Sequence, residues 1–108
     1  MEFNRKTTLL FLQKQIETKL KEEKNFLKED LEEQYISYQK ELLQSIEENY
    51  SKGKVQFYFS IKELFDYFFV RFVIDEFDVR MSGIEETSSS TIYSLEVKWI
   101  DMERIALK

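Results

Sequence analysis

The chain runs to residue 53 before its first glycine and contains no proline. Glu, Lys, Leu and Gln dominate this opening stretch, and all are good helix formers. Apolar side chains recur at Leu9, Leu12, Ile16, Leu20, Leu27, Leu31, Tyr35, Tyr38, Leu42 and Ile46. Their steps of three or four line one face of a helix. One longer step, Leu20 to Leu27, covers two turns and so keeps the phase. The pattern predicts one long helix, or two nearly collinear ones broken within 21–25. No glycine or proline marks a bend there.

Length turns that helix into a statement about partners. Some 45 helical residues would span roughly 65 Å, whereas a folded domain of this size has a radius of gyration of about 13 Å. The strands that follow are too short to cover the whole apolar stripe. Either a second copy covers the uncovered part, a homodimer with Leu20, Leu27, Leu31 and Tyr35 at its interface, or the helix breaks near Lys24 and Asn25 and folds back on itself; the kept phase favours the homodimer. Leu31→Asp would then separate the copies.

After Gly53 the period changes. Val55, Phe57, Phe59 and Ile61 alternate with Lys54, Gln56, Tyr58 and Ser60, which predicts a strand. Next, Ser60 and Glu63 spell a capping box, and Ile61, Leu64, Phe65, Phe68 and Phe72 share a helical face. Val70, Val73 and Ile74 make that helix apolar on a second side, so it is either buried on more than one or replaced by its rival, a long strand from about Phe68 onward. Phe77, Val79 and Met81, then Tyr93, Leu95, Val97 and Trp99, give the inner faces of two more strands around a polar loop at 84–91. A last helical turn capped by Asp101 closes the pattern. The fold class is α+β: a helical arm (1–52) and a small sheet unit (53–108) in one domain, 1–108. The sheet is expected to be three-stranded and mixed with one crossover helix, the alternative being an antiparallel three-stranded meander.

What the chain lacks narrows its chemistry. It has no cysteine and no histidine, so a thiol nucleophile, a thiolate metal site and the usual general base are all absent. A net charge of −5 argues against direct nucleic-acid binding through phosphate neutralisation. The apolar run near the N-terminus is too short for a signal peptide, and nothing approaches a membrane span. The expectation is a cytoplasmic protein without cofactor or metal.

Two sets of residues are candidates for function. Asp78 with Glu96-Val97-Lys98 superficially resembles the metal-holding strands of PD-(D/E)xK nucleases, which would imply a Mg²⁺-dependent nuclease with Asp78, Glu96 and Lys98 catalytic. The same Glu-x-Lys spelling occurs at Glu17–Lys19 and Glu22–Lys24, and no proline precedes the aspartate. A solvated strand face with Arg80 or Lys98 paired to a carboxylate accounts for the spelling equally simply. The acidic cluster Asp75, Glu76 and Asp78 lacks the glycine-containing loop of a calcium site.

The other set is Glu29, Asp30 and Glu33 in a dense acidic run, with Tyr58 on the wet side of its strand. The run could face a basic groove on a protein partner, as DNA-mimic inhibitors do, and an exposed tyrosine suits an interface. The reading that follows is a small non-catalytic interaction module, an adaptor or stoichiometric inhibitor, specifically of a nucleic-acid-acting enzyme. The alternatives are the nuclease and a structural dimerisation protein.

Overall fold

The long helix breaks at Asn25. The computed structural model describes residues 4–99, and in it α1 (Arg5–Lys24) and α2 (Lys28–Asn49) are separate helices. Asn25 takes the left-handed conformation, φ 59° and ψ 27°, which asparagine tolerates better than most residues other than glycine. The Phe26 N–H closes the end by donating to the Leu20 carbonyl at 3.1 Å. Three residues on, the Asp30 carboxylate accepts from the Leu27 N–H at 3.2 Å and starts α2. The longest dimension of the molecule is 47 Å, well short of the continuous helix.

A 3-10 turn (Tyr50–Lys52) and Gly53, with φ 75°, lead into β1 (Lys54–Phe59). Then come α3 (Lys62–Ile74), β2 (Asp78–Glu86) and β3 (Thr91–Lys98). The strand order is β1-β3-β2, and both pairings are antiparallel. The sheet is therefore neither mixed nor a meander. Crossover by α3 does make β1 and β2 run the same way, as the sequence suggested, but one place apart. β3 returns between them. The Ser60–Glu63 capping box does not form either: α3 starts after Ile61 with no side-chain cap. The turn expected at Asp101 lies outside the described residues.

One face of the sheet carries the core. Val55, Val97 and Val79 stand in one cross-strand row, and Phe57, Leu95 and Met81 in the next. Onto this face packs α3, with Leu64, Phe65, Tyr67, Phe68 and Phe72 buried. Antiparallel to α3 runs α1, whose Glu17 accepts from the Tyr67 hydroxyl at 3.4 Å while Lys19 lies 4.0 Å from Glu63. From α2 come Tyr35 and Tyr38, whose rings pack on Phe68, Phe72, Phe57 and Phe59 at centroid separations of 4.7–6.3 Å. Each such pair contributes about 0.5–1.5 kcal/mol beyond area burial.

These contacts overturn most of the expected dimer seam. Leu20, Leu31 and Tyr35 are at most 1% exposed within a single chain. Only Leu27 of that set is exposed. The break lets α1 and α2 approach α3 from different directions, so one chain shelters most of the stripe that a straight helix could not bury, Leu12 and Leu27 staying exposed.

α3 ends as α1 does, with the Phe77 N–H donating to the Phe72 carbonyl at 3.0 Å. The left-handed residue here is Glu76, φ 68°, where a side chain is strained and glycine is not. Glu76→Gly is expected to raise stability by about 0.5–1 kcal/mol, read as a higher urea midpoint. A lower midpoint would assign the Glu76 side chain a stabilising role that outweighs its backbone strain.

Candidate functional site

The face of the sheet away from the helices holds the residues of the nuclease-like spelling. Cross-strand rows there are Lys54–Lys98–Asp78 and Gln56–Glu96–Arg80. Asp78, Glu96 and Lys98 are thus neighbours, as the spacing implied. Their arrangement is that of a charge cluster in which Glu96 is already occupied. Arg80 holds it through Nε on one carboxylate oxygen and Nη2 on the other, and Lys54 lies 3.4 Å away. Glu96 is 1% exposed, covered by Lys54 and Arg80, which are themselves 45% and 62% exposed. No group of three or more His, Cys, Asp or Glu side chains among the described residues could hold a metal ion.

The Arg80 hydrogen bond, aided by the charges of Arg80 and Lys54 and opposed by burial, holds the Glu96 carboxyl below its ordinary range. A depressed carboxyl stabilises the fold fully above the unfolded value of about 4.3 and loses that effect as pH falls through the folded pKa. Glu96→Gln is therefore expected to be less stable than the parent at neutral pH, with the gap closing in acid. Urea midpoints measured across the acid limb would show it, and a gap that stays constant with pH would contradict it.

Between the helices lies a second polar group. Arg71 donates from Nη1 to Glu32 at 2.6 Å and from Nη2 at 3.4 Å, and its guanidinium carbon sits 4.3 Å from the centre of the Tyr35 ring. The Tyr35 hydroxyl donates to Asp75. Burial first, and then the hydrogen bond to Asp75, raise the Tyr35 phenol. This network clamps α2 to α3 and is closed on itself. Nearby, an open groove of about 570 Å³ is lined by Arg5, Lys6 and Leu9 of α1 and by Val73 to Glu76. Charges of both signs line it, and no convergent polar set points into it.

The predicted partner-binding residues fall on different surfaces. Glu29, Asp30 and Glu33 are exposed on the first turns of α2, although Asp30 is also the cap of that helix. Tyr58 is 62% exposed on the open face of the sheet, its hydroxyl donating to Gln56 at 2.9 Å. The structure does not bring it together with the acidic run. A stripe that the sequence reading passed over does join that run. Ile36 and Leu43 are 49% and 60% exposed, seven residues apart, and share the outer side of α2 with Glu29, Glu33, Lys40 and Glu47. Tyr50, 63% exposed, follows in the 3-10 turn beyond a non-helical Asn49. The spacing was visible in the sequence. It went unread because the core stripe on the same helix is longer and more regular.

Comparison with known proteins brings no relative: no family model matches the chain, and no match is found among curated proteins or solved structures. No described helix is long and apolar enough to cross a membrane.

Proposed function

We propose that this protein works by binding another protein through the outer side of α2, without catalysis. Support comes chiefly from the exposed pair Ile36 and Leu43, flanked on the same side of α2 by Glu29, Glu33 and Glu47 with Lys40 among them. An apolar pair edged by carboxylates fits an apolar groove with a basic rim, the helix-in-groove mode of recognition. Such a rim is found where an enzyme holds nucleic-acid phosphates, so a stoichiometric inhibitor of a nucleic-acid-acting enzyme is the specific form of this reading. The closed pairing of Glu96 with Arg80 and Lys54 favours it over the metal-dependent nuclease.

The test is differential capture from the native host. The parent and the double variant Ile36→Asp/Leu43→Asp, both verified as folded by circular dichroism, serve as bait. A partner held by the parent should be lost by the variant, and weakened by the charge reversals Glu29→Lys and Glu33→Lys. That partner should also compete with added DNA or RNA. Equal capture by parent and double variant would end the proposal.

A further inference from the structure

The outer edge of β2 carries a pattern that no other strand among the described residues pairs with. At Ser82 the strand has one extra residue: Met81 lies opposite Leu95 and Gly83 opposite Ser94, with Ser82 between. Such a bulge sets two successive residues against one, and both fall on that residue's side of the sheet. Ser94 belongs to the open face, so Ser82 and Gly83 do as well. Around this midpoint the strand becomes symmetric. Met81 and Ile84 both point to the helix side, and Arg80 and Glu85 both point to the open side.

That symmetry is what two copies of one strand need to pair antiparallel about a two-fold axis perpendicular to the sheet. Opposite residues must then share a face. With the axis between Ser82 and Gly83, Met81 meets Ile84 of the second copy, and Arg80 meets its Glu85. The first contact is apolar and is made twice; the second joins opposite charges and is also made twice. Met81 and Ile84 are 48% and 52% exposed in the single chain, beyond the cover of α3. The axis keeps the helices of both copies on one side, so these four side chains would fill the gap between two α3 helices.

Gly83 belongs to this bulge. Glycine inside a strand weakens it and often marks a bulge or the close approach of another backbone. Within its own chain Gly83 has no need to be glycine: its φ is not positive, and a Cβ built on it would meet nothing within 4 Å. From these features we infer that β2 is the docking edge for a second copy of this chain, joining two three-stranded sheets into one of six strands. This surface is separate from α2.

The native absence of cysteine makes the register directly testable. Light scattering over a range of concentrations should give twice the chain mass. Ile84→Lys, which alters no buried position, should weaken the dimer by roughly a hundredfold while leaving the circular dichroism spectrum unchanged. Oxidation of Met81→Cys/Ile84→Cys should lock the dimer covalently, and Leu43→Cys on α2 should not. A monomeric mass at every concentration overturns the inference and assigns the bulge to protection of a free edge. A dimer that survives Ile84→Lys, or one that Leu43→Cys locks and the β2 pair does not, overturns it too.

Discussion

Phe68→Ala is expected to destabilise the fold by about 3–5 kcal/mol. Phe68 is 0% exposed and lies where every layer meets. Its ring is 5.0 Å from those of both Tyr38 and Tyr67, 5.6 Å from Phe59 and 6.3 Å from Tyr35. Truncation removes the transfer free energy of the ring and leaves a cavity walled by stiff aromatics, which cannot close around it. Against a total stability of typically 5–15 kcal/mol, that is a large fraction. Urea denaturation should show a much lower midpoint with an unchanged slope. A loss below about 1 kcal/mol would mean that α2 and β1 do not share one core through this residue.

Arg71→Met is expected to cost about 2 kcal/mol. Methionine keeps most of the stem that lies against Tyr35 but strands Glu32, which loses both guanidinium bonds. Arg71 and Glu32 are 21% and 39% exposed, so water takes up some of the loss and the figure stays below that of a fully buried pair. Glu32→Gln in the Arg71→Met background should recover some of the stability, because the amide is cheaper to leave without a cation. Absence of any recovery would place the whole effect in lost packing.

Much of this architecture was legible in the residues. Strict alternation placed Phe57 and Phe59 on the inner face of β1, and Leu95 and Val97 on that of β3. The two-sided apolar pattern of α3 left a long strand open as its rival; the helix forms, covered by the sheet, α1 and α2. Asn25 was misread. A seven-residue step preserves phase along a sequence whether or not the helix survives it, and the left-handed tolerance of asparagine was the signal to weigh. Leu31→Asp consequently changes meaning: at 1% exposure it would unfold the chain rather than dissociate a dimer.

The candidate sites were legible in the same uneven way. Arg80 pairing with a carboxylate followed from the composition of a wet strand face. The depth to which its cations cover Glu96 depended on which strand lies in the middle. Strand order is a property of distant contacts, and no local period encodes it.

That order has a consequence during synthesis. The middle strand is the last of the three to be made, so a nascent chain that has emerged only as far as Ser90 holds two strands with nothing to pair against. Until residues 91–98 arrive, the phenylalanines of α3 have only β1 and the helices for shelter. Sheet formation must therefore wait for β3, and the shorter loop favours its pairing with β2 before β1. A ribosome stalled short of that point would present a greasy helical intermediate, the kind of species that chaperones attend.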